Sequence, residues 1–489
     1  MGNHRPANRG HLQGPDLARL VKAERYLLTS LRPELHVTAE SGILEAAAGM
    51  LRDGGDWHML YQYRPEPNGN ARWGHQVSQD GPFDWVECPD VIAPKGGELN
   101  TLAGSVVAHN GGADLFFTSV TAAGTSIQIA HVDDVGTFTD VTDDPLALDP
   151  TVHRAGVVIS DTKEFSRFRS PCVVPDWESN DDRDQGHEGW LMITSTGEPD
   201  SPRPVILESP DGADWTLVGA VDFVGESGLD DDAIIVAPRI IRLRDEVDQE
   251  IYDVLLATQE CDGLDRSGYL IGRLERNKFH VITPFTRIDS GHDFTRPRNT
   301  NFTPGTVAED ERYLNAYIFG LFNGVGRGDD ATKQTTWKKE GWANALSLPR
   351  EVTLQGGKLF QVPVDGLPEA VASTRRAWFW SGLCDIPVGS SITIELVDAD
   401  GNVAATITHS GDQLKLDRNF DEPATAPLHD EDEDNISVVV DGNTLEVYAG
   451  GGAVVMASRL RIESKIVELR VSDSGEAEIH SEWRRGPFD

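Results

Sequence analysis

The chain reads as all-β. Short apolar runs broken by Gly, Asp, Asn and Pro recur along most of its length, which is the texture of short strands joined by tight turns. They recur in sets of four, and sets of four strands suggest the blades of a propeller. Near Leu348 the pattern changes, and a second strand-rich segment follows, so two domains are expected.

The elements follow in order. Residues 1–31 form an extension with one short helix. Over Asp16–Leu31, Leu17, Leu20, Val21, Ala23, Tyr26, Leu27, Leu28 and Leu31 fall at helical spacing, and Pro15 suits a first turn. Such a stripe is expected to pack on the body of the protein. Residues 32–350 carry the propeller strands, among them Ser105–His109, Leu115–Val120, Ser126–His131, Gly189–Thr194 and Val205–Glu208. Residues 351–375 read as a linker centred on Asp365–Ser373. Residues 376–489 open with Trp378-Phe379-Trp380 and continue through Ser391–Val397, Val403–His409, Ile436–Val440, Thr444–Tyr448 and Ile466–Val471. Asp441-Gly442-Asn443 between two alternating runs is a hairpin signal.

Composition removes several functions. The 489 residues hold 80 Asp and Glu against 43 Lys and Arg, a net charge of −37. A nucleic acid or an anionic membrane surface is therefore not an expected partner. The acid runs 178–184, 230–232 and 430–434 fall between strands and read as solvated loops; none has EF-hand spacing. Cys88, Cys172, Cys261 and Cys384 are scattered without C-x-x-C spacing, which argues against zinc and a disulfide framework. Met1–Gln13 is polar and lacks the apolar run of a signal peptide, and no run of roughly 18 apolar residues occurs. A cytoplasmic protein without metal or cofactor is expected. G-x-S-x-G, P-loop and H-E-x-x-H motifs are absent, and the glycine-rich stretch Asn323–Gly328 reads as a flexible loop.

Several anchors occur in a telling order. They are Arg32-Pro33-Glu34-Leu35-His36, Trp57-His58-Met59-Leu60-Tyr61-Gln62-Tyr63-Arg64-Pro65, Trp73-Gly74-His75-Gln76-Val77-Ser78-Gln79-Asp80 with Trp85 and Pro94, and Leu102-Ala103-Gly104-Ser105. Gly291-His292-Asp293-Phe294, Leu348-Pro349-Arg350-Glu351 and Leu445-Glu446-Val447-Tyr448 through Ser458-Arg459 follow. The series resembles glycoside hydrolase family 32, the β-fructofuranosidases (invertases, levanases, inulinases). The corresponding family motifs are R-P-x-Y-H, Y-H-L-F-Y-Q-Y-N-P, W-G-H-A-x-S-x-D, F-S-G-S, G-x-D-F-Y-A, L-P-R-E and S-x-E-V-F…T-x-R. The resemblance implies a five-bladed β-propeller followed by a C-terminal β-sandwich.

It also implies a retaining reaction, which needs two carboxylates about 5–5.5 Å apart. The nucleophile motif G-W-x-N-D-P-N-G reads Gly42-Ile43-Leu44-Glu45-Ala46-Ala47-Ala48-Gly49 here, placing Ala46 at the nucleophile. The R-D-P motif, whose acid grips fructose hydroxyls, reads Arg169-Ser170-Pro171. The acid/base motif E-C-P reads Val236-Ala237-Pro238. All three carboxylates are thus replaced. Glu45 stands at the family's asparagine, and strand alternation sets its side chain opposite to Ala46. Glu260-Cys261 mimics the acid/base motif but follows a different strand, so Glu260 is expected in an exposed turn, with a relocated acid as its alternative.

By resemblance, Gln62, Trp73, Ser105, Arg169 and Asp293 match positions that line or support the sugar pocket. Arg239 and Arg296 follow altered motifs on two further blades. Three guanidiniums replacing three acids would make an anionic pocket cationic, suited to a phosphorylated or acidic sugar; the competing reading pairs them with acids such as Asp231 or Asp293. Three function classes stay open: a non-hydrolytic carbohydrate-binding protein, an active β-fructosidase using Glu45 and Glu260, and an assembly protein with Trp378-Phe379-Trp380 at an interface. The sequence assigns no oligomeric state.

Overall fold

The computed structural model describes residues 30–487 apart from 139–143, 145, 178–182, 184–187, 198–202, 231–233, 262, 324–329 and 430–433. The helix expected over Asp16–Leu31 lies outside these residues save for its last two positions. Most of the acid runs and of the glycine-rich loop lie outside them too.

Five strands contact one another in a closed ring: β1 (Gly42–Asp53), β2 (Glu98–His109), β3 (Arg169–Pro175), β4 (Ile234–Arg244) and β5 (Phe294–Phe302). Each is the inner end of an antiparallel set of strands. These sets run outward to Val86–Ile92, Val152–Ser160, Thr216–Ala220, Lys278–Arg287 and Lys358–Pro363 respectively. β1 and β5 pair in parallel, Met50 opposite Thr300, which joins the first set to the last. This is a propeller, and its inner strands are covered on both faces. β1 accordingly buries Ala46, Ala47, Ala48, Met50 and Leu51 in a continuous run rather than in alternation.

One boundary needs correction. Residues 351–375 are not all linker, because Arg350–Gln355 and Lys358–Pro363 pair through a two-glycine turn and complete the β5 set. The alternation of buried Val352, Leu354 and Leu359 drives this pairing. A helix, Leu367–Ser373, then leads out of the propeller.

The C-terminal segment is a sandwich of two five-stranded sheets. Trp380, Ile394, Leu396, Ile407, Leu416, Val438 and Val447 fill the space between them. Phe379 and Trp380 are buried, so they belong to the core and offer no interface. The hairpin falls where expected, Asp441 pairing with Thr444 across Gly442-Asn443. Gly442 has φ of 59°, and a Cβ there would lie 2.4 Å from the Leu31 carbonyl oxygen, so only glycine fits. Among the described residues no helix is long and apolar enough to cross a membrane.

Three segments far apart in sequence meet in a joint between the two domains. The backbone N–H groups of Glu34, Leu35 and His36 donate to the Asp441 carboxylate. The His36 ring sits 2.9 Å from Asp441 and 3.2 Å from Glu446. Arg350 reaches both Glu446 and Asp289 at 2.9 Å. These charged side chains are almost wholly out of water.

Burial alone would pull the His36 pKa down. Its hydrogen bonds to Asp441 and Glu446, with their negative charges, outweigh that and raise it from 6.5 to about 9. The protonated ring's contribution to stability is therefore fully present below pH 6.5 and is lost as pH rises through about 9. Glu87 and Asp90, which burial pushes up to about 7, titrate below the upper part of this window. The melting temperature is expected to fall between neutral pH and about pH 10. A His36→Gln chain, less stable at neutral pH, should show a flatter profile there; parallel profiles would remove His36 as the cause.

Candidate functional site

All five inner strands are irregular near one mouth of the ring. Register shifts fall between Leu44 and Ala46 in β1, Leu102 and Ser105 in β2, Val236 and Arg239 in β4, and Thr295 and Arg298 in β5. In β3 the shift lies between Arg169 and Cys172. Three of these bulges place a non-glycine residue before proline at positive φ: Ser170 (56°), Ala237 (51°) and Arg296 (51°). Proline has no N–H to leave unpaired at a bulge, whereas each left-handed residue costs on the order of 1–3 kcal/mol. In β2 the bulge holds Gly104, where a Cβ would meet the Phe116 carbonyl oxygen at 1.9 Å. Bulges of this kind re-aim side chains and carbonyls, and they gather next to sites.

Ala46, Ser170 and Val236 all sit on or beside these bulges. Ala46 is buried against Leu60, Trp73 and Ala103 in an apolar cluster, and Val236 is also buried. The β1 bulge overturns the expected placement of Glu45. One extra residue interrupts the alternation, so Glu45 reaches the face of Ala46's partner Gln62. Its carboxylate accepts from the Gln62 amide and from Arg64 Nε, both at 2.6 Å. Glu260 is not in an exposed turn either. It pairs with Ile234 and Asp265 inside a hairpin that runs on to Leu264, and its side chain is 9% exposed.

The three arginines have different partners. Arg296 turns to acids, lying 3.3 Å from Glu260 and 3.0 Å from Asp265. Arg239 is fully buried and donates to carbonyls of Ser170 (2.8 Å), Pro238 (2.6 Å) and Gly104 (3.0 Å). Beside it stands Arg298, which the sequence reading passed over although it follows Pro297 by one residue. Arg298 donates to the carbonyls of Ala47, Arg296 and Pro297. Two guanidiniums thus take up carbonyls from all five inner strands and form a layer across the axis. Burial pulls the Arg239 pKa down to about 10, and burial followed by the charge of Arg239 pulls Arg298 well below its usual range.

Other expected ligand residues have structural duties. Asp293 is wholly buried and ties the propeller to the sandwich, binding Arg459 Nε at 3.1 Å and Arg418 Nη1 at 2.5 Å. Those cations hold its carboxyl below the usual range despite its burial. Trp73 is 0% exposed, because its register position opposite Gln62 faces the packed space between the first two blades. Ser105 is buried and accepts from the Val173 backbone N–H at 3.1 Å, bridging β2 to β3. Gln62 links Glu45 to the Ala103 N–H (2.7 Å). Arg169 lines an open cleft, together with Arg167, Leu102, Thr118 and Thr125. The Glu45–Arg64 pair was open to view, since both residues replace family asparagines with opposite charges. Among the described residues no group of three His, Cys, Asp or Glu is placed to hold a metal.

Comparison with known proteins decides the family. The model of the glycosyl hydrolases family 32 N-terminal domain matches residues 36–363, and that of the C-terminal domain matches residues 391–482. The chain belongs to glycosyl hydrolase family 32. It is 25% identical over 488 residues to sucrose-6-phosphate hydrolase of Bacillus subtilis, covering 92% of this chain and 93% of that one. A Bombyx mori family 32 β-fructofuranosidase in complex with sucrose shares the fold at TM-score 0.71 and 17% identity, over 96% of this chain and 98% of the other. Sucrose-6-phosphate hydrolase of Lactobacillus gasseri does so at TM-score 0.70 and 20% identity, over 94% and 95%.

Proposed function

We propose that this family 32 protein is non-hydrolytic and binds a carbohydrate, phosphorylated or otherwise anionic, at the bulge-bearing mouth of its propeller. The observation that carries this is the chemistry at three bulges. A retaining glycosidase needs a nucleophile and a general acid/base about 5–5.5 Å apart. Ala46 offers a methyl group and Val236 a branched hydrocarbon, and neither can attack an anomeric carbon or move a proton. Arg167 and Arg169 line a cleft next to Ser170, and their planar forks suit a phosphate or carboxylate on the sugar.

A second reading has one observation in its favour. The relatives include sucrose-6-phosphate hydrolases, and the β1 bulge brings Glu45 onto the face where a nucleophile is wanted. Glu45 is held by Arg64 and Gln62, however, and Glu260 by Arg296.

Fructose release from sucrose, sucrose 6-phosphate, inulin and levan, at high protein concentration and long incubation, separates the two. No release above buffer is expected, while sucrose 6-phosphate should bind and weaken about tenfold on Arg169→Ala. Release that vanishes with Glu45→Gln or Glu260→Gln would establish relocated acids and sink the proposal.

A further inference from the structure

At the opposite mouth, away from the bulges, lies a cavity. The far ends of β2, β3, β4 and β5, with Trp190 and the segment from Thr303 to Ala316, enclose about 380 Å³. Small-ligand sites span about 300–1,000 Å³. The Arg239–Arg298 layer is anchored at the bulges, on carbonyls of residues 47, 104, 170, 238 and 296–297.

The charges in its wall are matched inside the protein. Arg242 donates to Asp253 at 3.1 Å and lies 4.1 Å over the Trp177 ring. Arg312 pairs with Glu309 at 3.4 Å, and His109 Nδ1 is 2.7 Å from Asp114. An ionic ligand would find no unmatched partner, and its desolvation would go uncompensated. What the wall still offers is aromatic and neutral. Trp190 meets His109 edge to face, and Tyr313 packs against Trp177. Neither the Trp190 indole N–H nor the Tyr313 hydroxyl has a hydrogen-bond partner among the described residues; Asn299 and Asn301 also line the cavity, the first donating to the second and the second to the Val106 carbonyl.

Aromatic faces with free donors, neutral amides and no net charge suit one ligand chemistry well. A neutral saccharide carries C–H faces that stack on rings and hydroxyls that need both donors and acceptors. We propose that this mouth binds a neutral mono- or disaccharide, at a site separate from the bulge-bearing mouth and independent of what that mouth binds.

The test is calorimetric titration of the full chain with glucose, fructose, sucrose and maltose, and with glucose 6-phosphate as the anionic counterpart. At least one neutral sugar is expected to bind, with Kd raised about tenfold by Trp190→Ala and unchanged by Arg169→Ala. Tyr313→Phe keeps the ring and removes only the hydroxyl. It should weaken binding about fivefold, a loss that misfolding of the Trp190 variant cannot mimic. The proposal falls if none of the neutral sugars binds into the millimolar range. It falls equally if binding survives both variants, or if glucose 6-phosphate binds this mouth more tightly than glucose.

Discussion

An Arg350→Met chain is expected to lose about 3–5 kcal/mol of stability, because removing one partner of a buried ion pair leaves the other charge uncompensated. Arg350 is 0% exposed and serves two carboxylates at once. Its Nε and Nη2 reach Glu446 at 3.1 and 2.9 Å, and Nη2 also reaches Asp289 at 2.9 Å. Methionine fills much of the volume over the Phe294 ring but brings no charge. Glu446 keeps His36, the Leu348 N–H and the Tyr448 hydroxyl, and Asp289 keeps two backbone N–H groups. Those bonds soften the loss without replacing the cation. Arg470, on an exposed sandwich strand with Glu395 at 3.0 Å, is the control, and its replacement should leave stability nearly unchanged. Chemical denaturation followed by tryptophan fluorescence measures both. Equal small shifts in the two variants would mean that the joint does not hold the domains.

The same joint shows what was legible in the sequence. The R-P-x-Y-H lead-in, the L-P-R-E passage and the Glu446 signature were visible as separate motifs, and their order carried the family. That Glu446 touches both His36 and Arg350 was not visible, since contacts across hundreds of residues leave no local periodicity. The duty of Asp293 is hidden for the same reason. A buried acid answering two arginines of another domain looks, in sequence, like a pocket residue. The linker error differs in kind, because the Val352, Leu354, Leu359 alternation around Gly356-Gly357 was readable. Glu45 was misplaced by assuming strict alternation through a strand that bulges. That Ala46 stands where the resemblance implies the nucleophile is read from the sequence alone.

The axial layer poses the sharper energetic question, and replacing Arg239 by methionine answers it. Two effects oppose each other. Burial pulls the Arg239 pKa down from the usual arginine range to about 10. At about 1.36 kcal/mol per unit, removing the cation relieves on the order of 3 kcal/mol. Against this, the carbonyls of Ser170, Pro238 and Gly104 lose their donor. Each buried acceptor left without one costs about 1–3 kcal/mol. Three such losses, about 3–9 kcal/mol together, exceed the relief over most of their range, and a net destabilisation of up to about 6 kcal/mol is expected in chemical denaturation. The bulges make the carbonyls demanding, because a proline at each of three bulges removes an N–H that could have paired nearby. A more stable Arg239→Met chain would reverse the argument. The guanidinium layer would then be a burden on the fold, and its presence would call for a ligand to explain it.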